Sequence, residues 1–185
     1  MRRFQQLRVI AGLLICIAAI VPLYGSRLNP VSWSLQAERG KVAPGSTVFL
    51  RLHAQIADGY HLYSFTTPGG GPIKTRAWLQ SSPDIKGFRV YQTAPERHID
   101  PNLNVPVETF KGTVDFLLAV ALTNNASAGD KVVMASVRYQ ACSNQICLPP
   151  VTRVATTSIS VQPGAPPATA LIPNGYRLVG NSDGR

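Results

Sequence analysis

Two cysteines in the last third of the chain offer the clearest chemistry in the sequence. Cys142 and Cys147 stand in the stretch "YQACSNQICLPP", with four residues between them. Two thiols at this spacing can form a disulfide that closes a short loop, and such a disulfide can also exchange with the thiolate of another protein. The pair therefore has two candidate roles, a structural bridge across a turn or a carrier of electrons.

The structural role is supported by position more than by energy. In the chain-entropy model, a bridge that closes so short a loop stabilises a protein by about 2 kcal/mol, roughly half of what a loop of about 100 residues contributes. A chain of 185 residues can bury a core large enough to fold without it. Hairpin disulfides are nonetheless common in exported proteins, so this role stays open.

The electron-carrying role is supported by the surroundings of the pair. The four intervening residues favour a turn, and Pro149 and Pro150 stiffen the exit from it. No Lys or Arg lies within C-S-N-Q-I-C to activate a thiol, unlike the usual Cys-x-x-Cys enzymes. Such a pair is expected to react with one matched partner better than with thiols in general.

Other chemistries have less support. Two thiols are too few for a closed zinc site, and His53, His61 and His98 lie far from them in the sequence. The glycine-rich stretch 67–76 lacks the Gly-Lys-Ser/Thr ending and the following helix of a phosphate-binding loop. We therefore expect no metal site and no dissociable cofactor.

The first residues of the chain predict export. Three arginines precede an uncharged run at residues 9–21, which is short for a membrane-spanning helix. Residues 1–25 are predicted to be a signal peptide or an N-terminal anchor in the inner membrane, with membrane contact through residues 9–25 only if cleavage does not occur. The predicted location is the periplasm, an oxidising compartment that permits stable disulfides.

The charge of the chain argues weakly for nucleic-acid binding. The formal net charge of +9 falls to +6 if the three arginines of residues 1–25 are removed with a signal peptide. The remaining basic residues are scattered, without a basic run and without a helix that would align them along a groove. A solvated basic surface is the interpretation that this pattern favours, and no nucleic-acid partner is expected.

Short stretches of alternating apolar and polar residues predict the strands that would position the cysteines. They are residues 31–36, 46–56, 75–80, 86–92, 112–122, 131–141 and 151–161. Strands at these spacings, with no helices to connect them, predict an all-β, immunoglobulin-like antiparallel β-sandwich over residues 30–162. The cysteines would lie exposed at a corner between two strands.

Two segments show no strand pattern. Residues 93–109 are long and rich in proline, which predicts either a disordered insertion or a functional loop. Residues 163–185 are predicted to be a flexible Pro-rich tail.

Four stretches of the chain match a known family. They are "DGYHLY" at 58–63, "NASAGD" at 125–130, "YQAC" at 139–142 and "CLPPVT" at 147–152. The Tyr-Gln-x-Cys…Cys-x-Pro-Pro-x-Thr run is the most specific of them. In these stretches the chain resembles the N-terminal periplasmic domain of the thiol:disulfide interchange protein DsbD.

The resemblance implies an immunoglobulin-like sandwich that exchanges electrons. In the family, a thioredoxin-like donor domain, itself supplied by a membrane-embedded thiol carrier, reduces the cysteine pair, which then reduces exported disulfide proteins. The chain would thus be a component of a protein-disulfide reductase. Because it ends without a membrane region or a thioredoxin-like domain, the donor is expected to act in trans.

The resemblance also implies roles for individual residues. By matching position, Cys142 and Cys147 would be the redox couple, with Cys147 as the sulfur that bonds the partner. Tyr60, Tyr63 and Tyr139 would line the site. The alternative for Tyr60 and Tyr63 is edge packing of the sandwich.

A cap loop shields the cysteine pair in the family, and "RHIDPNLN" at 97–104 falls in its place. Asp100 is the acidic match, while Leu103 would take over the shielding where the family has an aromatic residue. The alternative for Asp100 is a local turn hydrogen bond. The alternative to an electron-carrying domain is a non-catalytic interaction module in which Cys142 and Cys147 form a structural hairpin disulfide.

Overall fold

The computed structural model describes residues 29–167 and 171–179. In these two ranges all regular secondary structure is β-strand. The strands are β1 (Val31–Ala37), β2 (Lys41–Val42), β3 (Thr47–Ile56), β4 (Tyr60–Tyr63), β5 (Arg76–Leu79), β6 (Ile85–Gln92), β7 (Glu96–Ile99), β8 (Pro106–Phe110), β9 (Thr113–Leu122), β10 (Gly129–Tyr139), β11 (Ala141–Ser143), β12 (Val151–Val161) and β13 (Arg177–Leu178). The predicted signal peptide or anchor lies outside these ranges, and no helix within them could cross a membrane.

The strands of the described ranges form three sheets. Sheet I has the order β1-β3-β9-β6-β13, sheet II has β2-β12-β10-β5, and sheet III has β11-β4-β8-β7. Neighbouring strands are antiparallel, except that β2 runs parallel to β12. Sheets I and II contribute side chains to one shared core, which confirms the predicted all-β sandwich. Sheet III continues from β3 and β10, because β4 and β11 directly follow these strands along the chain.

The alternation of apolar residues builds this core as the sequence predicts. The inward residues of β3 are Val48, Leu50, Leu52, Ala54 and Ile56, and each is at most 2% exposed. Successive side chains of a strand point to opposite faces, so this spacing buries one face completely. The predicted face of β3 is confirmed.

Aromatic rings fill the middle of the core. Phe116 of β9 is fully buried, with its ring centroid 5.0 Å from that of Phe65 and 5.5 Å from that of Phe110. Trp33 of β1 stacks on it from 6.0 Å. Edge-to-face and stacked pairs at these distances stabilise a core beyond the area they bury.

Residues 93–109 were predicted to have no strand, and this prediction is wrong. They contain β7 and β8, which pair antiparallel as a hairpin. The alternating pattern is absent because β8 is buried on both faces, and two of its buried residues, Glu108 and Thr109, are polar. The Glu108 carboxylate accepts hydrogen bonds from Ser64, Thr66 and Arg97, and these bonds offset the loss of its hydration on burial.

Part of the segment predicted as a flexible tail is packed against sheet I. β13 pairs with β6, and Ile172 and Tyr176 cover a small apolar cluster of Phe49, Leu117 and Ala119. These three residues point away from the main core. Residues 171–179 therefore shield an apolar patch on the outer face of the sheet.

Replacing Tyr176 by alanine is expected to lower the free energy of unfolding by about 1–2 kcal/mol, because it uncovers this apolar patch. Urea unfolding followed by intrinsic fluorescence measures the change. Leu171→Ala is the matched control, since Leu171 is 90% exposed and its loss should leave stability unchanged. Equal midpoints for Tyr176→Ala and the wild-type protein would show that the patch does not depend on this cover.

Candidate functional site

The cysteine pair lies in a tight hairpin at the edge of sheet III. Cys142 and Cys147 form a disulfide with an S–S distance of 2.05 Å. Cys142 belongs to β11, where it lies opposite His61 of β4. Ser143 N–H donates to the carbonyl of Ile146 at 2.8 Å, so backbone hydrogen bonding holds the loop between the two sulfurs.

An interruption of the strand at Gln140 directs the cysteine hairpin into sheet III. The predicted strand 131–141 is continuous, but the structure divides it into β10 in sheet II and β11 in sheet III. The Gln140 side chain accepts a hydrogen bond from Ile73 N–H at 2.9 Å and donates one to the carbonyl of Leu148 at 3.1 Å. Gln140 thus joins the strand break, the glycine-rich loop and the exit of the cysteine hairpin.

The two cysteines differ in exposure. The sequence predicts an exposed pair, but Cys142 is fully buried and Cys147 is half-buried. Cys142 packs with Tyr63 and Val107 in a separate apolar cluster, against which Cys147 and Val105 lie. Tyr63 and Val107 belong to neighbouring strands of sheet III, and Cys147 is the less buried cysteine of the pair.

Tyr63 connects the disulfide to two titratable side chains. Its hydroxyl oxygen lies 3.9 Å from Cys147 Sγ and donates to Asp100 Oδ2 at 2.6 Å. His61 Nε2 lies 3.1 Å from the same oxygen. Because the single hydroxyl proton goes to Asp100, His61 can bond this oxygen only as the tautomer that carries its hydrogen on Nε2.

Asp100 is fully buried and organises the turn between β7 and β8. Its Oδ1 accepts hydrogen bonds from the backbone N–H groups of Asn102 at 2.9 Å and Leu103 at 3.1 Å. Asn104 has a φ of 53°, in the left-handed region that asparagine tolerates. The Asp100 carboxylate therefore makes both the local hydrogen bonds of the turn and the contact with the site. We call residues 100–105 the cap.

The cap touches the cysteine hairpin through residues that were not singled out in the sequence. The Asn102 side-chain amide donates to the carbonyl of Ser143 at 2.9 Å. Val105 packs against the cysteine cluster, whereas Leu103, expected to shield the pair, is 44% exposed. Within the cap, Val105 thus supplies the apolar contact to the cluster that contains Cys142.

The other two predicted tyrosines pack in or beside the main core. Tyr60 lies opposite Ser143 in the β4–β11 ladder and packs at the border of the main core. Tyr139 is buried in that core, with its ring 5.3 Å from Trp33, and its hydroxyl donates to Asn29 Oδ1 at 2.8 Å. Among the predicted lining residues, the structure brings Tyr63 and Asp100 together at the pair.

Burial and hydrogen bonding set the charges of the site. Burial alone would raise the pKa of Asp100, but the hydrogen bonds from Tyr63 and the two cap amides outweigh it and hold the pKa below its usual value. Burial lowers the pKa of His61 despite the nearby Asp100, and burial with the hydrogen bond to Asp100 strongly raises the pKa of Tyr63. At neutral pH the site thus holds a carboxylate, a neutral imidazole and a neutral phenol.

His61 is the site residue that the sequence could have revealed. In "DGYHLY" the strand period places His61 and Tyr63 on the same face of β4. Only the pairing of β4 with β11 shows that this face meets the cysteines. Among the residues that the structure describes, no group of three or more His, Cys, Asp or Glu side chains could hold a metal ion.

The fold and the site together define a β-sandwich domain with a short-loop disulfide that joins one fully buried and one half-buried cysteine beside a hydrogen-bonded cap. The family "Thiol:disulfide interchange protein DsbD, N-terminal" matches residues 34–159, more than half of the chain. The chain belongs to this family. The assignment supports thiol–disulfide exchange as the chemistry of the Cys142–Cys147 pair.

The solved structures similar to this chain include two N-terminal domains. One is the reduced N-terminal domain of DsbD from Neisseria meningitidis, at 16% identity and a TM-score of 0.42, covering 70% of this chain and 90% of that chain. The other is the N-terminal periplasmic domain of ScsB from Proteus mirabilis, at 16% identity and a TM-score of 0.49, covering 76% of this chain and 55% of that chain. No curated protein matches the sequence.

Proposed function

We propose that this chain is an exported, periplasmic protein that relays electrons through the Cys142–Cys147 disulfide. The donor is a thioredoxin-like protein that a membrane thiol carrier supplies in trans, and the acceptors are periplasmic disulfide proteins. The observation that carries the proposal is the asymmetry of the pair, with Cys142 fully buried and Cys147 half-buried beside the cap. Exchange needs one sulfur open to in-line attack and a second that leaves.

The exchange proceeds in two displacements. A donor thiolate attacks Cys147 Sγ, so that a bond to the donor forms while the bond to Cys142 breaks, and Cys142 leaves as a thiolate that takes up a proton. A second donor thiolate then attacks the donor sulfur of this mixed disulfide and releases Cys147, which is also protonated. The donor ends as a disulfide, and the pair has gained two electrons and two protons. The reverse sequence reduces an acceptor disulfide.

Tyr63 and Asp100 are suited to keep the reduced pair protonated until a partner arrives. The Tyr63 hydroxyl donates its hydrogen bond to Asp100 and so presents only an oxygen lone pair to Cys147 Sγ, 3.9 Å away. A thiol can donate to this oxygen, whereas a thiolate would face a lone pair and a nearby carboxylate. The cap therefore disfavours reaction with small oxidants and leaves exchange to a protein that displaces it.

Trapping tests the proposal most directly. The Cys142→Ser variant keeps Cys147 but cannot release a partner by internal attack, so we expect a mixed disulfide with a periplasmic protein in non-reducing gels of the native host. Cys147→Ser is the matched control, and we expect no such product because Cys142 is buried. Equal trapping by both variants, or by neither, contradicts the proposed attack at Cys147.

The reduction potential separates the relay from a structural bridge. A relay is expected between about −120 and −270 mV, whereas a structural disulfide lies below about −300 mV. Equilibration of the purified protein with glutathione and dithiothreitol buffers measures the value. A reduction potential below about −300 mV, together with the absence of a trapped partner, would identify the hairpin as a structural disulfide.

A further inference from the structure

We propose that Lys74, Arg76 and Arg138 form a docking surface, the basic flank, for an acidic segment of the protein that exchanges disulfides with Cys147. The inference rests on the proposed function and adds the charge of its partner. The sequence alone indicates only a scattered, solvated basic surface. The fold gathers these three cations beside the cysteine hairpin.

The pairing of β5 with β10 brings two like charges together. Arg76 lies directly opposite Arg138 in this ladder, and both side chains are exposed. Like charges in directly opposite positions destabilise a strand pair. None of the ion pairs formed among the described residues involves Lys74, Arg76 or Arg138, whereas Arg51, Arg97, Lys111 and Lys131 each have an acidic partner. The flank thus carries positive charge that no ion pair among the described residues compensates, as Lys86 and Arg89 of β6 also do, but here two of the cations lie directly opposite each other.

A groove makes the flank accessible. The three cations and the glycine-rich stretch 68–73 line an open cavity of ≈ 290 Å³. A cavity of this kind can receive carboxylate side chains from a protruding loop, and arginine presents a planar fork of donors that matches a carboxylate. The chemistry that this groove recognises is therefore anionic.

The groove adjoins the cysteine site through two contacts. Ile73 N–H, in the wall of the groove, donates to the Gln140 side chain, which itself binds the carbonyl of Leu148 next to Cys147. A Cβ added to Gly71 would lie 2.8 Å from Val105 Cγ2, so the glycine loop lies against the cap residue that packs on the cluster containing Cys142. We therefore expect a protein that exchanges with Cys147 to contact the flank as well.

Exposed apolar side chains border the same area and favour a protein as the occupant. Ile73 is 39%, Leu103 is 44% and Ile146 is 55% exposed; they belong to the glycine loop, the cap and the cysteine hairpin. Apolar groups beside a charged rim are typical of a protein interface, in which charge complementarity accelerates encounter. The expected partner carries an apolar surface around its reactive cysteine and carboxylates on one side of it.

Two cysteine peptides test the charge preference with a known probe. Each contains a single thiol, flanked by glutamates in one peptide and by lysines in the other, and the measured quantity is the rate of mixed-disulfide formation at Cys147 of the full chain. For Arg76→Glu/Arg138→Glu we expect the rate with the glutamate peptide to fall about tenfold at low salt and the rate with the lysine peptide to rise. At 1 M salt, where the Debye length is about 3 Å, the differences should largely vanish.

For each peptide, the rate measured with a variant is divided by the rate measured with the wild-type protein, so that the intrinsic reactivity of the peptide thiol cancels. Lys86→Glu/Arg89→Glu is the matched control, because it makes the same change in net charge at exposed residues of β6 in sheet I. An equal fall in this control, or no fall in Arg76→Glu/Arg138→Glu, overturns the docking proposal. Arg76→Gln/Arg138→Gln, which removes charge without reversing it, should give an intermediate rate.

The failure of this proposal is distinguishable from failure of the exchange function. If neither peptide forms a mixed disulfide with the wild-type protein, exchange at Cys147 is refuted and the docking surface with it. If both peptides react and charge reversal changes nothing, exchange stands and the basic flank is refuted. Flotation with anionic phospholipid vesicles adds a third outcome, because vesicle binding that depends on the flank without an effect on exchange would assign it to a membrane surface.

Discussion

Asp100→Ala is expected to open the cap and expose the cysteine pair. The substitution leaves the Tyr63 hydroxyl and the backbone N–H groups of Asn102 and Leu103 without their shared acceptor. Losing a charged acceptor from one buried and two partly buried donors costs about 2–4 kcal/mol, and most of this cost should fall on the turn that Asp100 organises. We expect a lower unfolding midpoint and alkylation of the reduced pair by iodoacetamide at least about tenfold faster, as local opening becomes easier.

Asp130→Ala controls for loss of a carboxylate, because Asp130 is exposed. The control should match the wild-type protein in midpoint and alkylation rate. If Asp100→Ala has a lower unfolding midpoint but is alkylated at the wild-type rate, the shielding role of the cap is contradicted. The stabilising role of Asp100 would then still stand. The two measurements thus separate the two roles of this side chain.

The same carboxylate predicts how the cap responds to acid. Because its folded pKa is held below its usual value, the stability that Asp100 contributes is complete above about pH 4, near the unfolded value of about 3.9, and is lost as the pH falls through the folded pKa. Hydrogen exchange at the amides of Asn102 and Leu103, corrected for the intrinsic rate, reports this loss. In Asp100→Ala the acid-dependent step should be absent.

Phe116→Ala is expected to have the largest effect on stability, about 3–5 kcal/mol. Phe116 is fully buried between the two main sheets and contacts the rings of Trp33, Phe65 and Phe110. Its loss removes these contacts and leaves a cavity that rigid sheets fill poorly. Guanidinium unfolding of the oxidised protein measures the change.

Phe116→Leu tests the same explanation with a smaller cavity. It keeps an apolar side chain in the core, so its cost should be clearly lower than that of the alanine variant. The reduction potential of the Cys142–Cys147 pair should be unchanged in both variants, because Phe116 belongs to the main core and the cysteines to a separate cluster. Equal costs for the two substitutions would show that cavity size does not govern this site.

The sandwich could be predicted from local patterns because the alternation of apolar and polar residues within a strand shows which face of that strand is buried. The spacing of Val48, Leu50 and Leu52 in β3 requires only that one face of a strand be buried, and the structure confirms it. The hairpin of β7 and β8 escaped prediction for the converse reason. Glu108 is polar yet buried, and its partners Ser64 and Thr66 lie 44 and 42 residues away, so the local pattern contains no sign of their hydrogen bonds.

By itself, the sequence determined the strands of the sandwich, the family and the cysteine pair, because alternation and short motifs depend on neighbouring residues. Only the tertiary structure decided that Cys142 is fully buried while Cys147 is half-buried, and that Val105 packs against the cluster that contains Cys142. It also joined Tyr63 to Asp100 across 37 positions of sequence and set Arg76 opposite Arg138. The physical reason is that the pairing of strands decides which distant side chains meet, and a single strand does not carry that information.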